Sequence, residues 1–183
     1  MSVTGRLFAA LSRRFPRSMF RMLRVLIASA LLFAAIPACA VKTGEPAPSF
    51  ALPTAPGEVI DLARLRGRVV YVDFWASWCG PCRRSFPWMN AVHARYANQG
   101  LTIVGINVDK RRADAERFLR DVPATFAVVY DPQGVAPAAF DVKGMPTSYI
   151  VDRNGVVATV EEGFHDDRRD AIEARIRALL ATP

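Results

Sequence analysis

The stretch "RVVYVDFWASWCGPC", residues 68–82, joins a run of apolar residues to a closely spaced pair of cysteines. Its first nine residues are mostly β-branched or aromatic, as is typical of a central strand covered on both faces. A helix is predicted to follow over about residues 80–96, with Pro81 in the first turn, where its missing N–H is not needed. Cys79 and Cys82 are therefore predicted to lie where a buried strand gives way to a helix.

The predicted position of Cys79 favours reactivity. A helix start offers free N–H groups and the positive end of the helix dipole, and both stabilise a thiolate. Gly80 lets the backbone turn tightly, and Cys82, one turn further along, is expected to be more buried. This asymmetry suits disulfide exchange, in which an exposed Cys79 attacks a substrate disulfide and Cys82 releases the product. Trp78, directly before the nucleophile, is expected to shield the site and to contact partners.

Residues 1–40 are organised like an export signal, and we predict that they are removed. They contain six arginines and no acidic residue, and a nearly all-apolar segment covers residues 25–36. Cleavage after Ala40 fits the small-residue pattern with Ala38. One alternative is an uncleaved membrane anchor, although a spanning helix needs about 20 apolar residues. The other is lipidation of Cys39.

The net charge of +7 belongs largely to this leader. The leader carries six of the 24 basic residues and none of the 17 acidic ones, so the mature chain has a net charge of +1. This balance gives no support for nucleic-acid binding. About 143 mature residues suit one domain with one core. We expect a monomer in the periplasm or cell envelope.

Two other roles for the cysteine pair are less well supported by the sequence. A disulfide between residues so close together removes little entropy from the unfolded chain, which argues against a structural staple. A structural zinc site needs four Cys or His ligands, whereas the mature chain adds only His93 and His165 to the pair. Copper(I) accepts fewer soft ligands, so a copper-handling protein using Cys79, Cys82 and His165 is a second class of function.

The pattern of elements predicts an α/β fold. Strands are expected at 50–52, 59–61, 68–76, 101–108 and 126–130, with two more within 147–161 joined at Asn154-Gly155. Helices are expected at 80–96, after Asp109, near 135–140, and over 166–181 with Asp166 or Asp167 as cap. The first two strands form an N-terminal hairpin extension, and the others form a mixed central β-sheet flanked by helices. Residues 41–48 are predicted to be a linker, and residues 49–183 the domain.

Two motifs, "VDFWASWCGPC" (72–82) and "GMPTSYIVDRNG" (144–155), resemble the thioredoxin superfamily. The segment 46–79 resembles its exported branch, the TlpA/ResA-type thiol–disulfide oxidoreductases. The resemblance covers roughly residues 45–180, with the motifs in the family's order. It implies a thioredoxin-like fold and a Cys79–Cys82 disulfide that opens and closes during exchange, with no cofactor and no metal.

The resemblance also assigns residues around the pair. Cys79 is implied to be the nucleophile and Cys82 the resolving cysteine. Pro146 corresponds to the family's cis-proline, packed beside the pair, and Met145 presents its backbone to an extended substrate. The substrate-binding surface is completed by the residues next to the cysteines, namely Trp78, Gly80 and Pro81.

Asp73 matches the family's buried acid, six residues before Cys79. A lone carboxyl group inside an apolar strand is costly unless it is paired or neutral, and desolvation raises its pKa. Asp73 is therefore expected to accept the proton of Cys82. The alternative is that Asp73 points toward an edge of the sheet or a polar partner.

The function predicted on this basis is reduction of disulfides in exported client proteins. A membrane electron-transfer protein is implied as the reductant, because an oxidising compartment does not keep the pair reduced. Apocytochrome c reduction is a narrower alternative, and copper delivery is a binding alternative; a general oxidase is disfavoured. Ser85 stands where many cytochrome c-maturation relatives have a glutamate, and Gly105 where cytoplasmic thioredoxins often have a lysine. The residue at position 85 argues against a role in cytochrome c maturation. The residue at position 105 predicts that protons near the buried acid are handled differently from those in cytoplasmic thioredoxins.

Overall fold

The computed structural model describes residues 41–182. The predicted leader, its cleavage site and Cys39 lie outside the described residues. The described strands are β1 (Ala51–Pro53), β2 (Val59–Asp61), β3 (Val69–Trp75), β4 (Leu101–Asn107), β5 (Ala127–Tyr130), β6 (Thr147–Val151) and β7 (Val157–Glu162). The described α-helices are α1 (Cys82–Tyr96), α2 (Arg112–Asp121), α3 (Val135–Ala139) and α4 (Arg169–Ala181).

The main sheet has five strands in the order β5-β4-β3-β6-β7. The strand β3 pairs parallel with β4, which pairs parallel with β5, whereas β6 and β7 are antiparallel to their neighbours. β1 and β2 form a separate antiparallel hairpin. The predicted fold class, a mixed sheet flanked by helices with an N-terminal hairpin extension, is confirmed.

β3 lies at the centre of the sheet, and all seven of its residues are buried. Alternate residues face opposite sides of a strand. Tyr71 and Trp75 belong to the core cluster that contains α1 and α4, whereas Val72 and Phe74 belong to the cluster on the other face. Asp73 shares the face of Tyr71 and Trp75, and this places a carboxyl group beneath the helix that begins at Cys82.

Two predicted helix starts differ from the structure. The helix α1 begins at Cys82 rather than near residue 80, so Cys79 lies in the connection after β3 and before the helix. The prediction that Asp166 or Asp167 caps the last helix is wrong. Residues Asp166–Arg168 form a 3-10 turn with no side-chain cap, and α4 follows from Arg169. The carboxylate of Asp166 pairs with the guanidinium of Arg169 instead of with the backbone N–H groups.

The predicted hairpin around Asn154-Gly155 is confirmed, with a connection of residues 152–156 between β6 and β7. The Asp152 Oδ1 accepts the N–H groups of Asn154 (2.9 Å) and Val156 (2.8 Å). Gly155 has a φ of 73°, a conformation that glycine adopts without steric cost. An aspartate side chain that bonds the backbone ahead of it thus closes a longer turn than a two-residue connection.

The segment 41–48, predicted to be a linker, is hydrogen-bonded to this hairpin. The Gly44 N–H donates to the Val157 carbonyl at 2.8 Å, and the Ala47 N–H donates to the Gly155 carbonyl at 2.9 Å. Val157 in turn donates its N–H to the Glu45 carbonyl at 2.9 Å. None of the helices described between residues 41 and 182 is long and apolar enough to cross a membrane.

Candidate active site

The two cysteines are joined by a disulfide at the N-terminus of α1, with their Cα atoms 5.4 Å apart. The Cys82 N–H donates to the Cys79 sulfur at 3.2 Å, so a free N–H of the first helical turn points at the predicted nucleophile. Cys79 is 3% exposed and Cys82 is fully buried. The expected order of burial is therefore present, although Cys79 is far less exposed in the disulfide than we expected.

The loop that carries Cys79 is fixed by a carboxylate that the sequence analysis missed. Asp109 accepts hydrogen bonds from the Ser77 backbone N–H at 2.8 Å and from the Ser77 hydroxyl at 2.9 Å. It accepts a third from the Asn107 side-chain amide at 2.8 Å. Asp109 is 6% exposed and follows β4, which lies beside β3. The only sequence signal was its position directly after a buried strand, at the edge where the parallel strands end.

The predicted buried acid lies on the face of β3 that packs against α1, which we call the inner side of the disulfide. Asp73 is 1% exposed, and its Oδ1 accepts a hydrogen bond from the Ser148 hydroxyl at 2.7 Å. Its Oδ2 has no hydrogen-bond partner among residues 41–182. Burial raises the pKa of Asp73 to about 7, because desolvation of the carboxylate outweighs the hydrogen bond from Ser148. Such a group can take up and release a proton near neutral pH.

Ser148 is a second residue that the sequence analysis missed. It faces Asp73 directly across the β3–β6 pairing and is 4% exposed. A polar residue within the apolar run "TSYIV" was the available signal, but only the strand register shows that its partner is Asp73. Tyr71, on the same face, is 2% exposed, and its pKa is raised by burial first and then by the neighbouring charge of Asp73.

Pro146 has the cis peptide bond that the resemblance implied, formed with Met145. The Gly163 N–H donates to the Pro146 carbonyl at 2.8 Å, which ties the start of β6 to the end of β7. Met145 is partly buried and packs against both core clusters. Pro146 is buried, so only part of this segment is open to a partner.

The residues beside the cysteines form an exposed surface. Trp78 is 71% exposed, Gly80 is exposed and Pro81 is partly buried. A large aromatic side chain left in solvent beside a reactive group suits contact with another molecule. The guanidinium of Arg83 lies 3.3 Å from Asp121 and 5.2 Å from the centre of the Phe118 ring, so it is engaged away from the cysteines.

Two further predicted candidates take no part in a metal cluster. Within residues 41–182, no group of three or more His, Cys, Asp and Glu side chains is arranged to hold a metal ion. His165, the third ligand in the copper hypothesis, packs against Gly163 and precedes the 3-10 turn before α4. His93 lies in the last turn of α1.

The fold and this site define a thioredoxin-superfamily protein of the TlpA/ResA type. The chain belongs to the Redoxin family, whose model matches residues 42–176. It is 36% identical over 124 residues to the thiol-disulfide oxidoreductase ResA of Geobacillus kaustophilus. The aligned residues cover 68% of this chain and 71% of the relative. Its identity to ResA of Bacillus subtilis is 32% over 123 residues, covering 67% and 69%.

Solved structures give the same result. A candidate thiol:disulfide interchange protein DsbE from Chlorobium tepidum is 48% identical, with a TM-score of 0.75, covering 78% of this chain and all of the other. A secreted disulfide oxidoreductase from Mycobacterium tuberculosis is 27% identical, with a TM-score of 0.62, covering 71% and 96%. The activity of the chain is thus that of a thiol–disulfide oxidoreductase.

Proposed function

We propose that this oxidoreductase works outside the cytoplasm as a reductase of disulfides in client proteins. The observation that carries the proposal is the arrangement of one disulfide between two different environments. An exposed aromatic surface lies on its outer side, and a buried carboxyl group whose pKa is near 7 lies on its inner side. The composition of residues 1–40 supports export, as does the likeness to a relative described as secreted.

In the proposed reaction, the reduced pair gives two electrons to a client disulfide. The Cys79 thiolate attacks one client sulfur, and a mixed disulfide forms while the other client sulfur leaves as a thiolate. Asp73 takes the proton of Cys82, and the Cys82 thiolate then attacks the Cys79 sulfur. This step breaks the mixed disulfide, releases the second client thiolate and leaves the Cys79–Cys82 disulfide.

The outer residues are proposed to bind the client. Trp78, Gly80 and Pro81 offer an exposed surface next to the attacking sulfur, and Met145 offers its backbone next to the cis-proline. An extended client segment laid along this surface would bring its disulfide to Cys79. A second protein must return two electrons to the oxidised pair, and we assign this step to a membrane electron-transfer protein.

A trapping experiment tests this function. The Cys82→Ser variant cannot resolve the mixed disulfide, so we expect client proteins to accumulate on Cys79 in the native host, where mass spectrometry identifies them. Cys79→Ser is the matched control and should trap nothing. Apocytochrome c as the dominant trapped client would narrow the function to cytochrome c maturation. An absence of trapped proteins, with tight stoichiometric copper(I) binding and negligible reductase activity, would instead establish copper delivery.

A further inference from the structure

The proton that Asp73 receives must reach solvent, and β3 has two neighbours through which it could pass. On the β4 side, Asp73 pairs with Gly105, which has no side chain. A Cβ atom at Gly105 would lie 3.1 Å from the Phe126 ring and 3.2 Å from the Trp75 indole nitrogen. Aromatic rings therefore fill this side. The Trp75 N–H is itself without a hydrogen-bond partner among the described residues, so it passes no proton onward.

The β6 side is polar across two strands. Asp73 lies opposite Ser148, and Ser148 lies opposite Glu161 on β7. Directly opposed residues place their side chains on one face, with Cβ atoms about 4.5–5.5 Å apart. Tyr71 lies two residues before Asp73 on the same face of β3, and its pKa responds to Ser148, Asp73 and Glu161. A row of polar side chains thus follows one face of the sheet from the buried acid to the edge strand β7.

The outer end of this row meets solvent. Glu161 accepts two hydrogen bonds from the Arg168 guanidinium, at 2.8 and 3.0 Å. The side chain of Glu161 is 14% exposed, and that of Arg168 is 54% exposed. The carboxylate of Glu161 therefore lies at the boundary between the core and water, which is where a proton can be exchanged.

The helices α1 and α4 pack on the same face of the sheet as Asp73. The helix α1 contributes Cys82 and apolar residues, and α4 contributes Ile172 and Ile176. The charged residues of α4 on this side are engaged elsewhere, since Arg169 pairs with Asp166 and Glu173 accepts from Arg95 and Tyr96. The titratable groups that lead from Asp73 toward solvent are Tyr71 and, one strand further, Glu161, with Arg168 paired to the last of these.

We propose that Ser148, Tyr71 and Glu161 form the proton route between Asp73 and solvent, with Ser148 also positioning the Asp73 carboxylate. This proposal rests on the reductase mechanism above and deepens it. A hydroxyl group can both donate and accept, so it can pass a proton by exchanging one O–H bond for another. When Asp73 is ionised, the Ser148 hydroxyl donates to it. When Asp73 is protonated, it donates to Ser148, whose own proton moves through the Tyr71 hydroxyl to the Glu161 carboxylate and then to water.

The test follows the two steps of the reaction of the reduced protein with 5,5′-dithiobis(2-nitrobenzoate) by stopped flow. The first released nitrothiobenzoate reports attack by Cys79, and the second reports resolution by Cys82. We expect Ser148→Ala to slow the second phase about tenfold at pH 7, the size of a lost hydrogen bond to a charged group. Its pH midpoint should rise, because loss of the Ser148 donor raises the pKa of Asp73. The first phase should be unchanged.

Matched variants separate proton transfer from structural effects. Ser148→Thr keeps the hydroxyl and should retain the second phase. Glu161→Gln should slow it several-fold, whereas Glu162→Gln, the neighbouring acid on the opposite face of β7, should not. Arg168→Gln breaks the same ion pair but keeps the carboxylate, and it should leave the second phase near the wild-type rate.

The outcomes distinguish this route from the function itself. If the wild-type protein shows no second phase, the reductase mechanism is wrong. If it shows both phases while Ser148→Ala and Glu161→Gln match it in rate and pH profile, the mechanism stands and the route is wrong. Equal slowing by Glu161→Gln and Arg168→Gln would assign the effect to the ion pair and would also overturn the route.

Discussion

The two sides of the Cys79–Cys82 disulfide differ in almost every property that matters for exchange. The outer side is an exposed surface formed by Trp78 and Gly80, next to Cys79. The inner side is a buried polar group formed by Asp73, Ser148 and Tyr71. In the proposed reaction one sulfur meets a client and the other loses a proton, so a single disulfide needs both environments. We therefore assign recognition to the outer side and proton handling to the inner side.

The largest effect is expected from removing the attacking sulfur. Cys79→Ser should lower disulfide reduction to the uncatalysed level, because the proposed reaction uses the Cys79 thiolate as its nucleophile. The fold should be kept, and Cys82→Ser should retain the first step alone. Reduction of a protein disulfide, followed by turbidity or by thiol release, measures this. Full activity of Cys79→Ser would place the attack elsewhere.

Titration of Asp73 on the inner side should make the free energy of unfolding depend on pH. The pKa of Asp73 is about 7 in the folded protein, against 3.8 in the unfolded chain. The buried carboxyl group therefore gives its full contribution to the free energy of unfolding below the pKa of the unfolded chain. This contribution is lost as the pH rises through the pKa of Asp73 in the folded protein. At about 1.4 kcal/mol per pKa unit, the loss is on the order of 4 kcal/mol between pH 4 and 8. Urea unfolding of the oxidised protein should show it.

Asp73→Asn removes this pH-dependent loss and should make the protein more stable than wild type at pH 8. Asp121→Asn, which alters an exposed carboxylate, is the matched control. Its free energy of unfolding should depend on pH as that of the wild-type protein does. If the free energy of unfolding depends on pH in the same way in Asp73→Asn and in wild type, the pKa of Asp73 is not raised by burial.

Asp109 fixes the loop that lies between the two sides. Asp109→Ala leaves one buried and two partly buried donors without their acceptor and should destabilise the protein by roughly 2–4 kcal/mol. Asp109→Asn keeps one acceptor oxygen and should lose less. Thermal unfolding with intact and reduced disulfide measures both variants. If Asp109→Ala is as stable as wild type, the loop is held by other contacts.

The smallest effect on stability is expected on the outer side. Trp78→Ala changes a side chain that is 71% exposed, so the free energy of unfolding should change by less than about 0.5 kcal/mol. The reaction with a small disulfide should also be unchanged. The KM for a protein client should rise several-fold, because the exposed aromatic contact is lost. An unchanged KM would remove Trp78 from the client-binding surface.

Local patterns were enough to predict β3, α1 and the cysteine pair, because each depends on residues close together in sequence. The burial of Asp73 followed from its place in an apolar strand. Ser148 could not be predicted as its partner, because the two residues are 75 positions apart and only the register of β6 against β3 brings them together. The same holds for Asp109 and Ser77, which are 32 positions apart.

The helix starts were predicted less well for a different reason. Proline at residue 81 and aspartates at residues 166–167 are typical of first turns, but their contacts decide where the helix begins. The Asp166 carboxylate is taken by Arg169, and α1 begins at Cys82, directly after Pro81, whose backbone is already helical. Competition between side-chain partners is not encoded in residue spacing.

The most direct test of the central claim is the pH dependence of the Cys82 step in wild type and in Asp73→Asn. The second phase of nitrothiobenzoate release should rise in wild type with a midpoint near pH 7, as Asp73 becomes ionised. In Asp73→Asn it should fall on the order of a hundredfold and lose that midpoint, while the first phase is kept. Identical second phases in the two proteins would contradict the assignment of proton handling to the inner side.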